Sequence, residues 1–118
     1  MRTRELTRIL QQNPGGASIK AWGNHYIPVY FKTGYFVALT DNEVRGVKYD
    51  VIITKLHELA HNLNIKTYYF GYWKDEKTNR EYLDLSIHIR NKMGAVILGR
   101  TFNQKAIFNC QKVESIYL

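Results

Sequence analysis

Glu81-Tyr82-Leu83-Asp84-Leu85-Ser86-Ile87-His88-Ile89 alternates without a break. Leu83, Leu85, Ile87 and Ile89 fall on one side, and Tyr82, Asp84, Ser86 and His88 on the other. Successive side chains of a strand point to opposite faces of its sheet, so this stretch predicts a strand with one face against a core. Just upstream, Asp75-Glu76-Lys77-Thr78-Asn79-Arg80 is a polar segment of hairpin type, and residues 67–74 read as the partner strand. Just downstream, Asn91 is an N-cap for a helix expected through about Phe102, with Ala95, Leu98 and Phe102 along one side. Residues 105–109 and 113–118 then form a closing hairpin.

The first half of the chain reads in the same way. Glu5, Leu6, Ile9 and Leu10 have the spacing of a short amphipathic helix beginning near Thr3, and Asn13-Pro14-Gly15-Gly16 stops it. Residues 17–22 and 25–31 form a hairpin about Gly23-Asn24, and Pro28, which has no N–H to donate, places the second strand at an edge or a bulge. Thr33-Gly34 turns the chain into a short strand at 35–39. Thr40, Asp41 and Glu43 carry capping signals, and Asp50 is a candidate cap for a longer helix at 51–63. Its stripe is Ile52, Leu56, Leu59 and Leu63, and Asn64 closes it. The expected order is α-ββ-β-α-ββ-α-ββ in one domain, residues 1–118. Adjacent hairpins favour antiparallel pairing, so the fold class is α+β: a mostly antiparallel sheet of hairpins with about three helices packed on one face. Leu56, Leu59, Leu63, Leu83, Leu85 and Ile87 are expected in one core.

Apolar residues make up 45% of the chain and charged residues 23%, which suits a globular rather than a disordered protein. No apolar run is long enough to span a bilayer, so no membrane partner is expected. Cys110 is the one cysteine, which excludes an internal disulfide and a cysteine-based zinc site. With no signal peptide in Met1-Arg-Thr-Arg-Glu, the cytoplasm is the expected location. The net charge of +7 is uneven: residues 1–40 carry +4, residues 86–118 carry +4, and the middle carries −1. Brought together, the two ends would build one positive face. Arg4, Arg8, Arg90, Lys92, Arg100 and Lys105 are therefore the candidate partner-binding residues, aimed at nucleic acid or an acidic protein surface. Nine tyrosines offer large contact area with a polar handle.

One motif carries catalytic chemistry. His57-Glu58-Leu59-Ala60-His61 matches H-E-x-x-H on the expected long helix and resembles the active-site helix of zincin metallopeptidases over those five residues. The imidazoles of His57 and His61, one turn apart, would bind zinc, and Glu58 would deprotonate the metal-bound water. The third ligand would have to come from Glu81, Asp84 or His88, because Asn62-Leu63-Asn64-Ile65-Lys66 lacks the metzincin continuation. Asp84 with Glu81 is a further candidate acid/base pair, and Cys110 reads as an idle buried thiol. The sequence contains no P-loop, no dinucleotide fingerprint and no nucleophile elbow.

Over residues 68–109 the order of motifs resembles small accessory proteins of bacteriophages and mobile elements. The residues that carry the resemblance are Tyr69-Phe-Gly-Tyr-Trp73, Tyr82-Leu-Asp-Leu-Ser86, Ala95-Val-Ile-Leu-Gly-Arg100 and Asn103-Gln-Lys-Ala-Ile-Phe-Asn109, with Gly34-Tyr35-Phe-Val-Ala-Leu39. The resemblance implies a phage-type accessory protein, a class that includes anti-CRISPR inhibitors of host defence. The expected function is that of a non-enzymatic protein without a cofactor that inhibits or modulates a host nucleic-acid machine through a basic, Tyr-rich surface. Its partner would be a host protein or nucleoprotein complex, and its place the host cytoplasm. No catalytic residue carries over. Two alternatives stand beside this expectation: a minimal zinc-dependent peptidase built on His57, Glu58 and His61 with His88, and a direct DNA- or RNA-binding regulator.

Overall fold

The computed structural model describes residues 2–13, 15–22 and 25–118. The order of its elements is α1 (Arg2–Gln12), β1 (Ala17–Trp22), β2 (His25–Val29), β3 (Tyr35–Ala38), β4 (Glu43–Val44), α2 (Tyr49–Asn62), β5 (Tyr69–Lys74), β6 (Glu81–Ile89), α3 (Lys92–Thr101), β7 (Ala106–Asn109) and β8 (Glu114–Tyr117). The strands form one sheet in the order β2-β1-β5-β6-β3-β7-β8, with β4 paired to β6. Every described pairing is antiparallel. The α+β reading holds, and Pro28 does lie in an edge strand. The turn expected at Gly23-Asn24 and the helix stop at Pro14 lie outside the described residues.

Alternation along β6 sets the two sides of the sheet. Leu83 and Leu85 are fully buried against the helices, beside Ile19 of β1, Phe70 of β5, Val37 of β3 and Ile107 of β7. Leu6, Ile9 and Leu10 of α1, Ile52, Ile53, Leu56 and Ala60 of α2, and Ala95 of α3 close this core from above. Glu5 anchors α1 to the edge strand: its carboxylate accepts the backbone N–H of Tyr26 and lies 3.0 Å from His25 Nδ1. The hydrogen bond to His25, and then that to Tyr26, hold the Glu5 carboxyl below its usual range.

Three local expectations need correction. The buried stripe of α2 runs through Ile52, Ile53, Leu56 and Ala60, whereas Leu59 is half-buried and Leu63 is exposed, outside the core. Small Ala60 lets the helix lie close to the sheet, and Leu63 falls at the C-cap, past the packed turns. The helix begins two residues earlier than expected, with Lys48 at its N-cap; Asp50 sits in the first turn. Thr40, Asp41 and Glu43 cap no helix: Thr40 and Asp41 lie in the connection into β4, and Glu43 is its first residue. The ends of α2 and α3 share one device. Asn64 and Asn103 take positive φ (58° and 56°), and the following N–H groups reach back to Ala60 O at 2.9 Å and Gly99 O at 2.8 Å. This is the Schellman closure, with asparagine in the role usually taken by glycine.

Candidate functional site

All three helices lie on one side of the sheet, so the other side is uncovered. By register it presents Ser18, Lys20 and Trp22 of β1, Tyr69, Gly71 and Trp73 of β5, Tyr82, Asp84, Ser86 and His88 of β6, Phe36 and Ala38 of β3, and Phe108 of β7. Aromatic rings dominate this layer. Trp73 stacks on Tyr82 with ring centroids 5.3 Å apart and is 50% exposed. Trp22 (63%) and Tyr117 (81%) stand freer still. Lys20 Nζ lies 5.4 Å from the Trp22 ring and 5.9 Å from that of Tyr69, within cation–π range of both.

One end of this layer packs itself shut. Phe31, Phe36 and Tyr69 meet edge to face at 5.4–5.5 Å, and Cys110 is buried beside them. Burial raises the Cys110 thiol above its usual range, as expected of an idle thiol. The imidazole of His88 stacks on Phe31 at 3.9 Å, and its Nε2 lies 2.8 Å from the Thr33 carbonyl oxygen. Gly34 makes room for that ring: with φ +85°, a Cβ there would come within 2.4 Å of His88 Nε2.

The middle of the layer is missing its large side chains. Ser18, Gly71 and Asp84 lie side by side on β1, β5 and β6, with Ser86 and Ala38 paired next to them. These small residues floor a cleft of about 710 Å³, walled by Trp73, Phe36, Phe108, Tyr30 and Tyr117. A Cβ on Gly71 would come 3.1 Å from Ser86 Oγ, so the glycine keeps the floor low. Among the described residues, Asp84 is the single charged side chain of the lining. Its Oδ1 accepts the Asn42 N–H at 2.7 Å and the Thr40 hydroxyl at 2.8 Å, while no hydrogen bond of the described residues engages Oδ2. Thr40 is fixed in turn by accepting the Leu85 N–H at 3.1 Å. Burial pushes the Asp84 carboxyl up to about 6; the two hydrogen bonds oppose that shift, and the Asp41 charge adds to it.

The residues singled out from sequence are distributed differently from that cleft. Glu81 is on the helix side of β6, where Tyr49 and Tyr72 both donate to its Oε2, the latter at 2.6 Å. It therefore cannot act as an acid/base pair with Asp84, which faces the other way. Burial, and then the Glu81 carboxylate, raise both phenols, Tyr49 to about 12. His57 borders the core, edge-on to Phe70 at 5.0 Å, with Nδ1 2.7 Å from the Tyr68 hydroxyl. Glu58 and His61 are exposed on α2. The sheet separates His88 from His57 and His61, so the three do not converge. Among the described residues no group of three metal-capable side chains does.

Arg4, Arg8, Arg90, Lys92, Arg100 and Lys105 are all exposed, and none forms an ion pair among the described residues. On the helix side α1 and α3 sit toward opposite edges of the sheet, α1 over β2 and α3 over β3 and β7. The two basic ends are separate patches, and the helices that carry most of them lie across the sheet from the exposed tryptophans. No helix among the described residues is long and apolar enough to cross a membrane. Neither a protein-family model, nor a curated protein, nor a solved structure matches the chain.

Sequence reasoning had placed Tyr82, Asp84, Ser86 and His88 together on the second face of their strand but had not made that face a site. The signal was Gly71, a glycine inside an aromatic strand, opposite an aspartate.

Proposed function

We propose that this chain is a non-enzymatic binding protein of the bacteriophage accessory type, which inhibits a host nucleic-acid machine by occupying one of its protein surfaces. The observation that carries the reading is the uncovered side of the sheet, where Trp73 and Tyr117 stand exposed at the walls of an apolar cleft and Trp22 stands exposed elsewhere on the same side. A sheet side with no function is normally polar; large aromatic groups left in water mark a contact surface, and they are the residues that dominate binding energy. The basic groups of α1 and α3 serve a different purpose in this reading. They supply a long-range field that draws the protein toward a nucleic-acid-loaded complex, and screening by salt weakens it.

The test is protection of an invading plasmid or phage in cells that carry a defined CRISPR nuclease. Wild-type protein should protect. The combined change Trp22→Ala, Trp73→Ala and Tyr117→Ala should abolish protection while leaving a native circular dichroism spectrum and a cooperative melt, lowered by a few degrees. Reversing Arg90, Lys92 and Arg100 should slow association and flatten its dependence on salt. Protection unchanged in the aromatic variant would remove the sheet from the interface. Stoichiometric zinc by elemental analysis, with peptide cleavage lost in Glu58→Gln, would replace the proposal with the peptidase alternative.

A further inference from the structure

The cleft on the uncovered sheet is apolar and aromatic, yet its floor holds one carboxylate that has no cationic partner among the described residues. In a chain of net charge +7, that is an unexpected place for an unneutralised acid. Burying a carboxylate is costly unless it is paired, and here a pairing group is absent among the described residues. The geometry points to a lysine side chain of a partner protein as the cleft's ligand, its ammonium group meeting Asp84 Oδ2 and its alkyl stem lying along Trp73 and Phe108.

Three features select this chemistry. The walls carry aromatic rings, whose faces attract a cation and repel an anion. The acid has only one oxygen to offer, since Oδ1 already accepts from Asn42 and Thr40. A guanidinium fork is best matched by both carboxylate oxygens, whereas a compact ammonium is satisfied by one oxygen and nearby hydroxyls such as that of Ser86. Finally, a cleft of about 710 Å³ is far larger than a free ammonium group needs and suits a side chain delivered by a polypeptide. The inference deepens the reading of the sheet as a protein-binding surface and rests on it for the source of the lysine.

The probes are a blocked pentapeptide, Gly-Gly-Lys-Gly-Gly, the same peptide with its lysine acetylated, and butylammonium, each titrated into the full chain at pH 7.5 and followed by the Trp73 indole resonance. The lysine peptide should saturate the shift. The acetylated peptide and the Asp84→Asn variant should each weaken binding at least tenfold, and butylammonium should bind more weakly than the peptide. Gly71→Val, which fills the floor and leaves the carboxylate in place, should also weaken it at least tenfold.

Equal affinity for lysine and acetyl-lysine peptides would overturn the inference, as would unchanged binding in Asp84→Asn with its spectrum otherwise native. Butylammonium binding as tightly as the peptide would overturn the assignment to a polypeptide. Because the isolated chain is titrated with a defined probe, failure here leaves plasmid protection untouched. Loss of protection in the aromatic variant with no lysine binding would support the surface and remove the lysine.

Discussion

The two sides of one sheet obey the same alternation and differ in almost everything else. The side under the helices is aliphatic and closed, with Leu83, Leu85, Phe70 and Ile19 wholly removed from water. The other is aromatic and open, with Trp22, Trp73 and Tyr117 at least half exposed. Even the carboxylates follow the division: Glu81, on the helix side, accepts from two phenols, whereas Asp84, three residues on and facing the cleft, keeps one oxygen unengaged. The comparison teaches that the covered side is closed by packing, whereas the uncovered side leaves large aromatic area in water. Substitutions on the two should therefore report on different properties.

The largest difference should appear in stability. Leu85→Ala is expected to cost about 2–5 kcal/mol in denaturant unfolding, the usual range for a buried leucine. Trp73→Ala, which gives up a half-exposed stack on Tyr82, should cost about 1 kcal/mol. Equal losses would break the distinction between the sides.

Asp84 gives the next largest effect, with a sign opposite to most substitutions. Its carboxyl titrates near 6 in the folded chain against 3.8 when unperturbed, so the folded state holds the proton more tightly than the unfolded one. Below about pH 4 the group costs nothing. As pH rises from about 4 to 6 the unfolded chain gives up this proton while the folded chain keeps it, so folding loses about 1–3 kcal/mol; above about 6 the folded carboxyl ionises too, and the loss persists at neutral pH. Asp84→Asn should therefore be the more stable protein at pH 7 and lack that pH dependence. A variant less stable than wild type at pH 7 would show that the carboxylate belongs to the fold rather than to a site.

On the helix side, Tyr72→Phe removes one of two donors from Glu81 and should cost about 1 kcal/mol. The smallest effect belongs to Arg90→Glu, on the surface and outside any ion pair of the described residues, which should move stability by no more than about 0.5 kcal/mol. A larger shift would mean that the basic patch near α3 also serves packing.

What was legible in the sequence followed from local rules. Strict alternation in residues 81–89 separated the two sides of the sheet, Asn91 capped α3 by accepting the Gly94 N–H, and Pro28 marked an edge. Periodicity alone could not choose between Leu59 and Ala60 on α2, because the choice depends on how closely the helix approaches Phe70. The cleft was harder still. Its floor and walls come from segments scattered over the whole chain, and only the sheet order makes Ser18, Gly71 and Asp84 neighbours. The two basic ends failed to meet for the same reason: charge counts carry no information about which edge each terminus occupies.

That sheet order also bears on how the chain comes to be folded. The strand β3 sits between β6 and β7, where Val37 pairs with Ile87 and Phe36 with Phe108. Neither partner exists when β3 leaves the ribosome, and no helix covers it until α3 has been made. The early hairpin of β1 and β2 is likewise open along one side until β5 arrives. Pairings of such long sequence separation place the chain among the slower single-domain folders, in milliseconds to seconds rather than microseconds. During synthesis β3 therefore waits as an unpaired, aromatic strand until β6 arrives on one edge, and its other edge stays open until residues 106–109 close it.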